Sequence, residues 1–315
     1  MIDNFVFSAN AVLPIFFIIA FGFFLRYKGF ISQRAIAEMN GLVFSFALPL
    51  LLFRNIYRAD FSALFDIWFI LWILASVTIC FALLWCFAKI YLKTRKELIG
   101  AFVQVTLRAN YAIVGLPLVA NMMGGNDTGL AAFTAAFVVA SFNILSVIVL
   151  SSEGAEKGGQ YGKLFLSIFR NPSIIGIMLA VAVNLLNIPL PQIAKVSIDY
   201  MAVLCTPMAL IAAGGAIQIS EIMKYIRPAL IASAAKIIVI PIIFVTASVF
   251  LGFNGEPLAV IFAIFANPAA VMCYVMAARM NANTAITSAV ILITTLFSSV
   301  TLTVGVYILK TMELI

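Results

Sequence analysis

Residues 106–117 read TLRANYAIVGLP, and residues 264–274 read IFANPAAVMCY. Each stretch lies inside a long apolar run and combines an asparagine with a proline. Proline lacks an N–H group and interrupts an α-helix, and the backbone groups that it frees need polar partners inside a bilayer. The two stretches therefore predict two interrupted membrane helices, and their polar or helix-breaking residues are candidates for a substrate site. These residues are Asn110, Pro117, Asn267 and Pro268.

The two asparagines fall at the same predicted depth in the membrane. Asn110 lies twelve residues after the start of its apolar run at 98, and Asn267 lies ten residues after the start of its run at 257. At a rise of 1.5 Å per residue both lie roughly 15–18 Å deep, near the middle of a hydrocarbon core of about 30 Å.

The composition around these stretches is that of a membrane protein. Of the 315 residues, 64% are hydrophobic and only 10% are charged, against about 45–50% and about 25% in soluble domains. A soluble enzyme, a nucleic-acid-binding protein and a disordered chain are therefore excluded. Ten apolar runs are long enough to predict membrane spans: 5–25, 36–53, 67–92, 98–122, 128–151, 173–188, 194–218, 229–252, 257–278 and 284–309. The first is expected to be a retained span, because its basic residues follow it.

The second half of the sequence repeats the first. Asn110 and Asn267 are 157 residues apart, as are Met123 and Met280, and Asn126 and Asn283. The repeats are expected to cover 1–157 and 158–315, with five spans each. An odd number of spans turns the second copy upside down, which predicts the inverted repeat of many secondary transporters.

Basic residues orient the predicted spans. With ten spans and an outer N-terminus, thirteen basic residues fall on the cytoplasmic side and four on the other. The positive-inside rule then places both termini outside the cell membrane. The inner group is Arg26, Lys28, Arg34, Lys89, Lys93, Arg95, Lys96, Lys157, Lys163, Arg170, Lys224, Arg227 and Arg279, and the outer group is Arg54, Arg58, Lys195 and Lys310.

Three charged residues fall inside predicted spans. Arg108 and Lys236 are cations, and Asp199 lies about a turn from the outer end of the seventh span. A charge in the bilayer is expensive and is usually paired or functional. An excess of cations, together with free N–H groups at half-helix N-termini, favours an anionic substrate. Arg108 is therefore a candidate substrate-binding residue, and Lys236 and Asp199 are candidates for charge balance or coupling. The alternative for Arg108 and Lys236 is a structural role, in which they bond carbonyls of the interrupted helices.

Catalytic chemistry has little support in the sequence. There is no histidine, and no carboxylate pair or nucleophile–base pair falls at depth. We therefore expect no enzyme activity, no cofactor and no metal site. The four cysteines, Cys80, Cys86, Cys205 and Cys273, lie in apolar runs without a CxxC pair and are expected to be small core residues.

The chain resembles the auxin efflux carrier family, which contains the plant PIN proteins and bacterial malonate or organic-acid carriers. The resemblance rests on FALPLLLF at 46–53, RAN at 108–110 followed by GLP at 115–117, NPAAV at 267–271, YVMA at 274–277 and TTL at 294–296. The order and spacing of these motifs run through most of the chain. The loop 152–170 is short where many plant members have a long cytoplasmic loop.

The resemblance implies an all-α fold of two inverted five-helix repeats. Spans 1, 2, 6 and 7 would form a scaffold, and spans 3–5 and 8–10 a moving transport domain. The crossing of spans 4 and 9 would hold a substrate carboxylate, with Asn110 as the crossover asparagine. A homodimer through the scaffold is implied in the same way.

These observations predict a secondary transporter of small mono- or dicarboxylates in the inner membrane, working by elevator-like alternating access. One alternative is a sodium-coupled symporter of the bile-acid transporter type, which strict Na⁺ dependence would favour. An intramembrane enzyme would need the missing catalytic pair. A sensor or structural protein without transport activity would show no substrate flux.

Overall fold

The computed structural model describes residues 2–58, 66–124, 129–153, 172–216 and 225–315. Across these residues the chain is helical, with no strand beyond one isolated bridge. Seven helices are long and apolar enough to cross a membrane, so the expectation of an all-α membrane protein is confirmed. The expected repeat boundary at 157/158 and the basic residues Lys157, Lys163, Arg170 and Lys224 lie outside the described residues.

Each predicted apolar run contains one helix or, in two cases, two half-helices. In chain order the helices are α1 (Ile2–Tyr27), α2 (Gln33–Arg58), α3 (Ile67–Tyr91), α4 (Ile99–Leu107), α5 (Tyr111–Met122), α6 (Gly129–Glu153), α7 (Pro172–Leu185), α8 (Gln192–Gly215), α9 (Ile226–Phe250), α10 (Gly255–Ala266), α11 (Met272–Arg279) and α12 (Thr284–Thr311).

Side-chain caps fix the starts of three long helices. Ser32 accepts a hydrogen bond from the N–H of Ala35 at the start of α2. Asp66 accepts from the first turn of α3, and Asn283 accepts from the N–H of Ile286 in α12. Each cap satisfies a backbone donor that has no partner inside its helix.

Helix α2 continues further than the sequence predicted. The predicted span stops at Phe53, before a basic residue, but the helix runs to Arg58. Arg54, assigned to the outer side from the sequence, is only 8% exposed, and its Nε donates to Oδ1 of Asn55 at 3.1 Å. The boundary at 53 is therefore wrong, because α2 continues through a buried arginine that bonds the neighbouring Asn55. The side of the membrane on which Arg54 lies stays a prediction.

The cysteines follow the prediction in three of four cases. All four are free thiols, and Cys80, Cys205 and Cys273 are buried. Cys86 is exposed on α3, so the expectation of a core position is wrong there. The sequence around it is apolar on every face, and a helix in lipid can present an apolar residue outward without penalty.

Helices α1, α2, α7 and α8 pack closely on one another through glycines. A Cβ added at Gly22 of α1 or Gly214 of α8 would overlap the backbone of the other helix, at Ile211 and Ile19. A Cβ at Gly176 of α7 would lie 2.7 Å from the carbonyl oxygen of Pro49 in α2. Small residues allow membrane helices to approach to backbone contact, so these four helices form one tightly packed group.

The remaining helices surround the two interrupted ones. Helices α3, α4 and α6 pack together, and so do α9, α10 and α12. The indole N–H of Trp72 in α3 donates to the hydroxyl of Ser248 in α9 at 2.7 Å, which joins the two sets. The Nδ2 of Asn121 in α5 donates to the carbonyl of Ala11 in α1 at 2.8 Å and links them to the glycine-packed group.

Candidate functional site

Two helices are interrupted in the middle of the molecule. Helix α4 ends at Leu107, and α5 begins at Tyr111 after three residues of extended or irregular backbone. Helix α10 ends at Ala266, and α11 begins at Met272. Both interruptions include the asparagine that the sequence predicted, Asn110 in the first and Asn267 in the second.

The two interruptions pair with each other through their main chains. Ala109 and Ala269 form an isolated antiparallel bridge. The N–H of Asn110 donates to the carbonyl of Pro268 at 2.8 Å, and the N–H of Ala270 donates to the carbonyl of Arg108 at 3.0 Å. Backbone groups that left their helices therefore satisfy one another, as buried polar groups in a bilayer require. We call this paired segment the crossover.

The first turns of α5 and α11 open onto one cavity. The cavity has a volume of about 230 Å³, and we call it the central cavity. The first helical turn carries N–H groups without helical partners and the positive end of the helix dipole. Both half-helices therefore present partial positive charge to the same space. Its crossover residues are Arg108, Ala109, Asn110, Tyr111, Ala112, Ile113, Ala270, Val271 and Met272.

Arg108 adds a full charge to the central cavity. It is 7% exposed, and its Nη1 lies 2.8 Å from the sulfur of Met276. A thioether is a weak acceptor, and it is the one partner that the guanidinium has among the described residues, so most of its donors are unused there. An anion in the cavity would supply the acceptors that the thioether does not.

Asn110 lies between two cavities. It lines the central cavity and also a second cavity of about 550 Å³, which we call the vestibule. Its side chain makes no hydrogen bond to any residue in the described part of the chain, and the residue is 8% exposed. The vestibule is bounded by α1, α2, α8 and α12 and carries polar side chains from Gln33, Asn40, Ser288 and Thr295.

The other predicted site residues take different positions. Pro268 lines the vestibule and contributes its carbonyl to the crossover. Asn267 is fully buried outside both cavities, where its Nδ2 donates to the carbonyl of Ala263 at 2.6 Å. Pro117 lies in the first turn after the π-helical start of α5, so the interruption precedes it. The proline follows the π-helical turn Tyr111–Gly115 and lies inside α5, so it does not mark the break itself.

Two charged residues bond away from the central cavity. Lys236 is fully buried in α9, and its Nζ donates to the carbonyl of Leu107 at 3.2 Å. This is the structural tie to an interrupted helix that the sequence left open. Asp199 accepts two hydrogen bonds from Arg58 at 2.7 and 2.8 Å, at the surface between α8 and α2. Asp199 therefore balances the charge of Arg58 and not that of the cations near the crossover.

The chain is similar to known membrane transporters. The sequence profile of the family described as membrane transport protein matches residues 7–306. The chain belongs to this family, the auxin efflux carrier family. An uncharacterized transporter of Methanothermobacter thermautotrophicus is 23% identical over 301 residues, which cover 94% of this chain and 96% of that protein. The transporter and membrane assignments follow, and the resemblance in the motifs is confirmed.

Two lining residues of this auxin efflux carrier family member were missed from the sequence. Ser45 of α2 and Asn143 of α6 add polar groups to the lining of the central cavity, from helices outside the crossover. Neither follows a proline or a charge that would have marked it. Serine and asparagine are common in packed membrane helices, so only their position in three dimensions identifies them.

Three π-helical turns were also missed, and each lies at the site. They are Val43–Ala47 in α2, Tyr111–Gly115 at the start of α5 and Ala235–Val239 in α9. The first contains Ser45, the second follows Asn110, and the third carries Lys236. A π-turn widens a helix by one residue and often occurs at functional sites. Ser45 and Asn110 line the central cavity and Lys236 bonds the end of α4, so each turn contains or directly follows a residue of this region.

Proposed function

We propose that this protein is a secondary transporter of small organic anions, with the substrate carboxylate held in the central cavity. The observation that carries the proposal is the convergence of the first turns of α5 and α11 with Arg108 on one cavity. Anions bind well at helix N-termini, where N–H groups and the dipole act together. Two such ends and a guanidinium favour a carboxylate over a neutral or cationic ligand.

The size of the central cavity favours a small substrate. Its volume of about 230 Å³ is below the roughly 300–1,000 Å³ of pockets that hold drug-sized ligands. Mono- and dicarboxylates of a few carbons fit this limit. In this proposal Asn110 bonds the substrate from the crossover, and Ser45 and Asn143 contact it from α2 and α6.

Asn267, Pro117 and Pro268 support the site in this proposal without supplying its charge. Asn267 bonds the last turn of α10, Pro117 follows the π-helical turn of α5, and the carbonyl of Pro268 accepts from the N–H of Asn110. Together they keep the two half-helix N-termini aimed at the central cavity.

The proposed mechanism is elevator-like alternating access. The chain would form ten spans in two inverted five-helix repeats, 1–157 and 158–315. Helices α1, α2, α7 and α8 would act as the scaffold, and α3–α6 with α9–α12 would move as the transport domain. The backbone contacts at Gly22, Gly214 and Gly176 support a rigid scaffold, and in this proposal the vestibule, which Asn110 also lines, would give the substrate access to the crossover. A homodimer through the scaffold is part of the same proposal.

Ligand binding and flux test the proposal. Purified protein is screened by thermal stabilisation with small mono- and dicarboxylates and with their neutral amides, because a ligand of the folded state adds RT ln(1 + [L]/Kd) to its stability. We expect stabilisation by a carboxylate and not by its amide, followed by carboxylate flux in liposomes. Flux that requires Na⁺ would instead favour a sodium-coupled symporter. Equal binding of acid and amide would contradict an anion site.

A further inference from the structure

We propose that Lys236 is a built-in cation for the carbonyl end of α4, which lets the crossover keep its shape without a bound metal ion. The role of this lysine in transport rests on the proposed function, whereas its contact with α4 is a property of the folded chain.

The carbonyl end of α4 lacks its helical partners. In an uninterrupted helix the carbonyl of Leu107 would accept from the N–H of Tyr111, four residues on. The interruption removes that bond, and the Nζ of Lys236 donates to this carbonyl instead, at 3.2 Å. The last turn of a helix also carries partial negative charge equivalent to about half an elementary charge. Leu107 therefore presents a cation-attracting oxygen, and Lys236 fills the position.

Within the described part of the chain, the ammonium of Lys236 has one hydrogen-bond partner, the carbonyl at this helix end. The residue is fully buried, and among the described residues it forms no ion pair with an aspartate or glutamate. A charge inside a membrane protein commonly pairs with another charge or with backbone carbonyls. Lys236 pairs with a backbone carbonyl, that of Leu107, and it lies in the π-turn Ala235–Val239.

The equivalent end of α10 is treated differently. There the Nδ2 of Asn267 donates to the carbonyl of Ala263 at 2.6 Å, so a neutral amide does what an ammonium does at α4. The pair of half-helix ends is thus asymmetric in charge. A neutral amide, as at α10, is enough to donate a hydrogen bond to a buried carbonyl. The lysine at α4 donates such a bond and also places a positive charge beside the crossover.

A second polar group lies on α4 one turn before the contact. Gln104 is fully buried, and neither its Oε1 nor its Nε2 has a hydrogen-bond partner in the described part of the chain. Carbonyl and amide oxygens are the ligands that hard cations prefer. If the ammonium is removed without filling its volume, the carbonyl oxygen of Leu107 loses its donor and is left for a small free cation to bind.

The test compares two variants that differ in the space they leave. Lys236→Ala removes both the charge and the volume, whereas Lys236→Met keeps most of the volume and removes the charge. Melting temperatures are measured in detergent at constant ionic strength with sodium, methylammonium or the bulky cation N-methylglucamine. No substrate is needed, so a failure here is separable from a failure of the proposed function, which the carboxylate assays detect.

We expect wild-type melting to be equal in the three salts. Lys236→Ala should melt lower in N-methylglucamine and regain a large part of the loss, saturably, in methylammonium or sodium. Lys236→Met should also melt lower but respond to no cation. A variant that folds only when methylammonium is present throughout purification also supports the proposal. The proposal is overturned if Lys236→Ala ignores the cation, if it cannot be folded with any of them, or if Lys236→Met melts like the wild type.

Discussion

The main-chain N–H of Asn110 donates to the carbonyl of Pro268, 158 residues further along the chain, at 2.8 Å. This bond and the reciprocal one from Ala270 to Arg108 hold the first turns of α5 and α11 side by side. The side chain of Asn110 takes no part in the bond and is left to face both cavities. Main-chain hydrogen bonds hold the crossover together, so the side chains of Arg108 and Asn110 are not used for that purpose and can contact a ligand.

Replacing Asn110 should weaken ligand binding without unfolding the protein. We expect Asn110→Ala to lose a hydrogen bond to a charged group, worth about 1.5–3 kcal/mol, or roughly a 10–150-fold loss of carboxylate affinity. The measurement is calorimetric titration of the stabilising carboxylate, with a melting curve to check folding. Unchanged affinity in a folded variant would remove Asn110 from the site.

Asn267→Ala is the matched variant and should behave in the opposite way. Asn267 touches neither cavity and bonds the carbonyl of Ala263, so we expect a loss of stability of about 1–3 kcal/mol from the uncapped carbonyl, with affinity largely retained. The sequence alone placed both asparagines at the substrate. A large affinity loss with normal melting would restore that earlier assignment.

Charge at Arg108 should distinguish acids from amides. Arg108→Gln keeps hydrogen-bonding capacity and removes the charge, so the preference for a carboxylate over its neutral amide should shrink at least tenfold, since hydrogen bonds to charged groups contribute about 1.5–3 kcal/mol. Arg95→Gln, in the turn before α4, is the control and should leave the ratio unchanged. A ratio that stays constant in Arg108→Gln would make the arginine purely structural.

Adding a side chain at Gly115 should destabilise the folded protein. A Cβ there would lie 2.6 Å from Nδ2 of Asn267 and 2.7 Å from the ring of Tyr111, so Gly115→Ala should cost about 1–3 kcal/mol through overpacking. Gly41 also lies in a helix but has no neighbour within 4 Å, and Gly41→Ala should stabilise by about 0.5–1 kcal/mol. Thermal melts of the two variants in one detergent should shift in opposite directions.

Asp199 should prove dispensable for binding. Its ion pair with Arg58 joins side chains that are 32% and 56% exposed, and such surface pairs contribute about 0–1 kcal/mol. We expect Asp199→Asn to retain carboxylate affinity and flux, with at most a small drop in melting temperature. Abolished flux with intact binding would return Asp199 to a coupling role.

Labelling should place both chain ends outside the cell. In a background without the four native cysteines, Ile2→Cys and Glu313→Cys should react with an impermeant thiol reagent in intact cells, and Arg34→Cys and Arg95→Cys should not. Reaction at one end only would contradict an even number of spans. Protection at both ends would reverse the orientation that the basic residues predict.

The interruptions could be predicted because their cause is local. An asparagine in a long apolar run marks a place where polar groups meet, and Asn110 and Asn267 fall within the observed breaks. The exact break in the first helix was less visible. Pro117 suggested it, but the chain leaves the helix at Arg108, where the extended backbone is stabilised by residues 268–270. A partner so distant in sequence has no local signature.

The charges were harder to place than the helices. Arg54 ended a predicted span because lipid excludes charge, yet it is buried within α2. Asp199 was considered with the cations of the core, yet it pairs with Arg58. The position of a charged residue in an apolar run predicts its depth in the membrane. It does not predict the direction of the side chain, which determines the residue that it bonds. The three π-turns escape for the same reason, since each depends on packing and not on composition.

A main-chain junction has a consequence for redesign. The bridge between Ala109 and Ala269 forms through the main chain and places small residues at the junction. The wall of the central cavity that α2 and α6 form takes no part in this bridge. Ser45 and Asn143 lie on that wall, on helices that do not share the junction's hydrogen bonds. Ligand preference can therefore diverge there, in evolution or in the laboratory, while the frame that gathers the two helix ends stays the same.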